Sequence, residues 1–375
     1  MHFTRNSEPP DLFRRWAAVS TIASALRRKC YLPWGSLIFY PNMYIVLVAT
    51  AGGRKGTAMG PALEFLEELR VKVAAEAITR EALIKELNES TDTIVHPTTG
   101  QMEFHASLTI HSEELTVFLG YHNLQLMSDL SDWYDCRRRW TYRTKWMGTD
   151  EIIGVWVNLF GATTPELLRE SMPLTLIGSG LASRIIFVNE HEDKIEPMPF
   201  YSAEDMKLKE VMLGDLDRIK MLQGPFKVTE DFVDEWNRWY TFQRRNPPLI
   251  DKNFGGYMKR RGAHAMKLST ILNSSRTDSM TLTSSDLQNS VKLLELTEVK
   301  MAGVFAGVGK APYADVLSGV MAVVGNKKEV HISELMYEFR NDIDDFNMRR
   351  IINSMDTMGF ATFITNTGMV RYKEG

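Results

Sequence analysis

The stretch Met43-Tyr-Ile-Val-Leu-Val-Ala49-Thr-Ala-Gly52-Gly53-Arg54-Lys55-Gly56-Thr57 decides how the rest of this 375-residue chain reads. Its first seven residues are apolar and uncharged, the pattern of a strand buried on both faces. A glycine-rich turn follows, then an apolar-periodic helix to about Leu69. Strand, glycine turn and helix in that order make half of an α/β unit. A phosphate loop needs glycines so that successive backbone N–H groups converge on phosphate oxygens. It also needs a lysine for the β- and γ-phosphates and a hydroxyl for magnesium. Gly52, Gly53, Arg54, Lys55, Gly56 and Thr57 are therefore candidate nucleotide ligands, with Thr57 as a candidate for the metal. Two positions depart from the usual spacing: Ala49 stands where a glycine leads, and Gly56 after the lysine leaves the hydroxyl one place late. An ordinary strand-to-helix turn is the other reading of the same residues.

Working outward, residues 11–29 read as a helix, with Asp11 as its cap and Leu12, Trp16, Val19, Ile22 and Leu26 at helical spacing. Residues 37–40 are apolar up to a break at Pro41-Asn42. Downstream, 71–74 reads as a short strand and Thr79 caps a helix through Leu87. A second buried strand over 104–111 ends in Ser112-Glu113-Glu114. Residues 139–153 read as a hairpin turning near Met147-Gly148-Thr149. A third buried strand begins at Val155 and ends before Thr163-Thr164, and a fourth follows Ser183-Arg184. After about residue 200 the strands stop, and helices are expected over 203–222, 229–243, 253–275 and 284–306. The row Phe232, Trp236, Trp239 suits the core of that helical region. The last 65 residues read as helix, short strand, two helices and a hairpin, which is winged-helix order.

Composition narrows the function classes. Apolar residues are 44% and charged residues 24%, as in a folded chain rather than a disordered one. The 44 Lys and Arg against 47 Asp and Glu exclude a wholesale basic coat for nucleic acid, though not a local basic groove. Cys30 and Cys136 lack CxxC spacing and the eight histidines lack metal spacing, which argues against a disulfide scaffold or zinc site. The longest apolar runs are too short to cross a bilayer, and the first ten residues hold no signal-peptide core. A soluble, cytoplasmic protein with no membrane partner is the expectation.

Three further groups carry candidate chemistry. Glu113 and Glu114 sit at the tip of a buried strand, where one carboxylate can hold the metal's water shell and the next can polarise an attacking water. A solvated pair at a helix start would look the same. Thr164, in the pair Thr163-Thr164, can orient that water or cap the helix beginning at Pro165. Arg184 leads into a buried strand and needs an anion, either a neighbouring subunit's nucleotide or an internal carboxylate.

In this order the chain resembles the AAA+ ATPase cores of replicative helicases, closest to those of phages, prophages and mobile elements and loosely akin to minichromosome-maintenance helicases. The resemblance covers about 10–300. It implies an α/β fold with a P-loop NTPase core, a helical lid and a C-terminal winged-helix domain. The implied divisions are an N-terminal helical segment 1–35, the core 36–200, the lid 201–308 and the winged helix 309–375. It also implies that ATP and magnesium bind at Gly52, Gly53, Lys55 and Thr57, with Glu113 and Glu114 as the acidic pair; an aspartate is usual at the first. Arg184 resembles the finger that acts in trans, which implies a homo-oligomeric ring. His264-Ala-Met-Lys267-Leu-Ser resembles the lid's sensor segment, so Lys267 joins the nucleotide ligands, with Arg260 or Arg261 as substitutes.

Helicases of this kind insert a hairpin into the ring channel, and the matching segment here holds Arg137, Arg138, Arg139, Trp140, Tyr142, Arg143, Lys145 and Trp146. Basic residues interleaved with aromatics suit a sequence-independent grip on single-stranded DNA. A charged edge strand with tryptophans packed inward is the alternative. From 311 to 375 there are seven Lys and Arg against nine Asp and Glu. There Arg349 and Arg350 are expected opposite a face of Phe346, Ile351, Ile352 and Met355, available to DNA phosphate or to a protein partner. The implied function is a DNA-dependent ATPase, the helicase motor of a phage or mobile element in a bacterial host cell. A replication initiator or regulator with little turnover on the same scaffold is the alternative. A packaging or transposition ATPase would need an acidic nuclease triad, and none is apparent.

Overall fold

The structure, a computed structural model, describes residues 2–95, 100–120, 123–144, 148–171, 180–191, 194–198, 200–249, 252–305 and 313–373. It is a mixed α/β protein in two compact units, 1–306 and 307–375. No described helix is long and apolar enough to cross a membrane.

The larger unit is organised by Tyr44–Val48, which is buried at every residue. It pairs in parallel with Val155–Thr163 on one edge and Ile185–Asn189 on the other. Met102–Ser112 lies beyond Val155–Thr163, also parallel, and Thr91–Val95 closes that edge antiparallel. The order across the sheet is thus 91–95, 102–112, 155–163, 44–48, 185–189. Four parallel strands deliver the glycine turn, the glutamate pair, the threonine pair and Glu190 to one edge. In open α/β sheets, ligands bind outside the carboxyl ends of the strands, where the strand order reverses.

Pleat alternation assigns the covering layers. Tyr44 and its partner Leu159 share one face, and Tyr44 donates its hydroxyl to Leu130 O in helix Leu124–Tyr134 (2.8 Å). Asn158 points the other way, and its Nδ2 donates to Ser20 Oγ and Ser24 Oγ of helix Asp11–Leu26, both at 3.0 Å. The same amide's Oδ1 accepts from Met43 N, tying the entry of the central strand to that helix (2.9 Å).

The helices after residue 200 occupy Ala203–Met221, Glu230–Arg245, Gly255–Ser274 and Ser284–Met301. They belong to the larger compact unit. Trp16 Nε1 donates to Thr297 Oγ1 (2.9 Å), and Trp34 sets its ring edge-on to Phe232 and Trp236. Helix Gly255–Ser274 is the most deeply buried of them. Its Arg261 is held bidentately by Glu298, at 2.7 and 2.8 Å, and Glu298 also accepts from Tyr257 Oη.

Several local expectations are revised. Asp11 is the first residue of its helix rather than the cap, and it pairs with Arg14 instead. The short strand over 71–74 is reduced to one bridge, Val73 to Thr109. Residues 37–39 form a strand, but in a small separate sheet with Cys30–Trp34. The strand Thr91–Val95 and the helix Leu124–Tyr134 had no sequence counterpart, whereas the helix start allowed for after Glu114 is present as Leu115–Leu119. Thr91–Val95 is polar and largely exposed, so no apolar periodicity marks it.

The smaller unit contains helices Ala314–Lys327, Ile332–Glu338 and Asp345–Thr357 with a three-stranded sheet ordered 329–331, 369–372, 361–364. Val320, Val324, Leu335, Met348, Ile352 and Val370 form its core. Phe346 is exposed, not on the core face as expected, and Met348 takes the buried place. Gly368 has φ +69°, and a Cβ there would stand 2.6 Å from His331 Nε2, so both conformation and space call for glycine.

His264 is fully buried between sheet and helices, with Tyr134 Oη 3.0 Å from Nδ1 and Ser183 O 3.2 Å from Nε2. Burial lowers its pKa to about 3, more than the Ser183 carbonyl raises it. The folded state therefore holds this imidazole neutral while the unfolded chain takes up a proton near pH 6.5. Its contribution is present above 6.5 and is lost as pH falls towards 3, roughly 5 kcal/mol in all. In denaturant titrations between pH 7 and 4, His264→Phe should flatten the acid loss of stability; an unchanged slope would contradict this.

Candidate nucleotide site

Beyond Val48 the chain turns through Gly52 at φ +82° and Arg54 at φ +53°, and helix Lys55–Glu68 begins. Gly53 N donates to Thr50 O (3.1 Å) and Arg54 N to Gly52 O (2.8 Å), which closes the turn tightly. Ala58 N donates to Arg54 O at 3.1 Å, and the three preceding helical N–H groups, Lys55 to Thr57, have no partner within the helix. Lys55 Nζ folds over the same turn and donates to Ala49 O (2.8 Å) and Thr50 O (2.9 Å). Desolvation lowers its pKa, and the charges of Glu114 and then Glu166 partly offset that. Glu166 was not singled out from sequence; its place beside Lys55 depends on strand order. Arg54 pairs with Glu8 (2.6 Å), which ties the N-terminal segment to the turn.

The two carboxylates approach from the tip of one strand, Met102–Ser112, next but one to the central strand. Glu113 Oε2 lies 2.7 Å from where a Cβ on Gly56 would stand. Glu114 Oε1 accepts from Thr116 Oγ1 (2.9 Å), with Thr163 Oγ1 at 3.5 Å. The expected roles of the threonine pair divide between its members. Thr164 Oγ1 accepts from Leu167 N (3.3 Å) and so caps helix Pro165–Ser171, while fully buried Thr163 faces Glu114. Register explains this, because Thr163 pairs with Val48 and its side chain is fixed by the sheet.

Thr57 is not the helix residue that faces the carboxylate pair. Successive helical residues point about 100° apart, and the one facing Glu113 is Gly56. Thr57 instead lines a cavity of about 190 Å³, together with Phe3, Thr21, Pro61, Phe65 and Leu216. Pro61 lacks the N–H that would pair with Thr57 O within the helix. Among the described residues no three His, Cys, Asp or Glu gather around a metal position. Magnesium commonly takes one or two carboxylates and completes its shell with water and phosphate oxygens. Glu113 fits that mode without a hydroxyl, and the ion would supply charge neutralisation at the phosphates.

Two other expected ligands lie at the opposite edge of the sheet. Lys267 Nζ donates to Asn42 Oδ1 (2.6 Å) and sits 3.9 Å over the Tyr134 ring, at the start of the central strand rather than beside the turn at its end. Burial pushes its pKa down to about 8. Arg184, just before Ile185, is buried in an ion pair with Asp135, which also accepts from Arg260. Arg184 thus has an internal carboxylate and does not meet the turn of its own chain. Arg261 is taken up by Glu298.

The basic hairpin is present as Arg139–Thr144 paired with Gly148–Ile153. Trp140 stacks on Tyr142 and meets Trp133 edge-on, and Arg80 lies over the Tyr142 ring. The aromatics therefore face inward, leaving Arg139 and Arg143 on the other side. Arg139 pairs with Glu151, and Arg137 with Asp132 (3.0 Å). Arg138 O accepts from Gly154 N (2.8 Å), while Lys145, Trp146 and Met147 lie outside the described residues. In the smaller unit Arg349 pairs with Asp345 (2.9 Å) and Arg350 lies over exposed Phe346.

Set beside known protein families and curated proteins, the chain matches none of them.

Thr164→Ala should lower stability by about 1 kcal/mol through loss of the cap. Thr163→Val, nearly isosteric, should change it less. Chemical denaturation of both variants checks the division of roles, and the reverse ranking would refute it.

Proposed function

We propose that this chain is a P-loop ATPase of AAA+ type, acting on DNA as the motor of a phage or mobile-element replication system. One observation carries the reading: Lys55 opens the helix after the central strand, and the Glu113 carboxylate, at the tip of the strand next but one, rests against that helix at Gly56. Nucleotide phosphates would lie on the free N–H groups of that helix, where its dipole favours negative charge. Lys55 would leave the Ala49 and Thr50 carbonyls to meet them. Glu114, oriented by Thr116 and Thr163, would take the proton of the attacking water. The base would enter the cavity beside Thr57, whose apolar walls suit a flat ring.

In a ring, Arg184 would serve a neighbour's nucleotide, since it lies at the far end of the sheet from the glycine turn of its own chain. To do so it would exchange Asp135 for phosphate, with Arg260 left to hold that carboxylate. Arg139 and Arg143, on the hairpin face away from the aromatic packing, would bind the phosphates of single-stranded DNA. The smaller unit has the element order of a winged helix, and its acidic balance favours a docking role over DNA reading.

A second reading, a DNA-binding initiator or regulator that holds nucleotide with little turnover, is favoured by one observation. The helix position facing Glu113 carries no hydroxyl.

Phosphate release separates them. Lys55→Ala should abolish nucleotide binding, whereas Glu114→Gln should bind ATP and hydrolyse it at least about a hundredfold more slowly. A Glu114→Gln protein as fast as its parent would overturn the catalytic assignment. A parent that binds ATP without measurable turnover would favour the second reading. Arg139→Ala with Arg143→Ala should reduce stimulation by single-stranded DNA more than basal turnover; equal effects on both would remove the hairpin from the DNA path.

A further inference from the structure

Gly56 has no backbone reason to be glycine. It lies in the first turn of helix Lys55–Glu68 and is not among the residues of positive φ. In a helix interior, glycine costs about 1 kcal/mol relative to alanine. What distinguishes the position is its neighbour. A Cβ there would stand 2.7 Å from Glu113 Oε2, 3.3 Å from Cδ and 3.5 Å from Oε1, so the whole carboxylate rests against the bare Cα. Glu113 is in turn one methylene longer than the aspartate that the acidic pair usually begins with.

We propose that these two departures are one arrangement, in which Gly56 clears the space that the longer Glu113 carboxylate fills. Glu113 then offers, from the strand side, the oxygen ligand that a hydroxyl at position 56 would offer from the helix to a divalent cation bound with a nucleoside triphosphate. The proposal rests on the nucleotide reading above. Thr57 does not supply the missing oxygen, because it lies one position further round the helix, against the cavity. A side chain at 56 would push the carboxylate away, and an aspartate at 113 would draw it back from the cation. Aspartate at 113 alone leaves the site short of an oxygen, and serine at 56 alone sets its hydroxyl against the long carboxylate so that the two cannot share the cation. The two together exchange one complete solution for another, a serine hydroxyl with a shorter acid.

The test uses the full chain and Mn²⁺, read by electron paramagnetic resonance, with a non-hydrolysable ATP analogue. Analogue binding in EDTA and a thermal melt are recorded for every variant. Gly56→Ser and Glu113→Asp should each weaken Mn²⁺ binding roughly tenfold, and the double variant should return to within about threefold of the parent. Serine is the better helix former, so Gly56→Ser should melt no lower than the parent. Gly56→Ala with Glu113→Asp restores the space without a hydroxyl and should stay weak. Losses that add in the serine–aspartate double variant, or equal recovery in the alanine one, would overturn the pairing. A parent that binds no analogue, with or without metal, would instead overturn the nucleotide reading on which it stands.

Discussion

The strand Tyr44–Val48 is buried at every residue, so it needs a paired neighbour on each edge and a covering layer on each face. The neighbours are the strands ending at Thr163 and Asn189, and the layers are helices Leu124–Tyr134 and Asp11–Leu26. Burial of its ends is managed by polar side chains. Asn42 is fully buried just before the strand, where its Nδ2 donates to Tyr134 O and Val157 O and its Oδ1 accepts from Lys267. At the other end the chain leaves through a turn closed by its own hydrogen bonds, beyond which the first N–H groups of helix Lys55–Glu68 have no partner within the helix. One strand thus has a rigid, satisfied end and an open end, and the candidate chemistry lies at the open one.

The helical region after residue 200 takes part in that core. Lys267 at Asn42, His264 between Tyr134 and Ser183, and Arg261 on Glu298 are buried polar contacts that leave costly unpaired groups if separated. A lid that swings on such contacts would have to break them together. If the chain turns over nucleotide as proposed, motion is easier to locate at Lys55, whose partners are carbonyls of its own turn, and at the Arg184–Asp135–Arg260 cluster, where two arginines share one carboxylate.

Much of the fold was legible because burial leaves a periodic trace. The strands after Pro41, before Glu113, before Thr163 and after Arg184 are uninterrupted apolar runs, and the long helices repeat at 3.6 residues. The misses share a cause as well. Thr91–Val95 owes its conformation to the edge it closes, and Val73 to a single bridge; neither carries a pattern of its own. Phe346 was placed on the wrong face because its helix buries Met348, and composition does not distinguish which of two large apolar residues faces inward.

The candidate site divides in the same way. The amino-acid sequence by itself determined that a lysine-bearing glycine turn follows a buried strand and that two carboxylates end another, because chain order and apolar burial are local properties. Only the tertiary structure decided that Thr163 meets Glu114 while Thr164 caps a helix, that Lys267 and Arg184 lie at the far edge, and that Gly56 faces Glu113. Those assignments depend on sheet register and on angle around a helix. A shift of one residue in either turns a side chain to another surface.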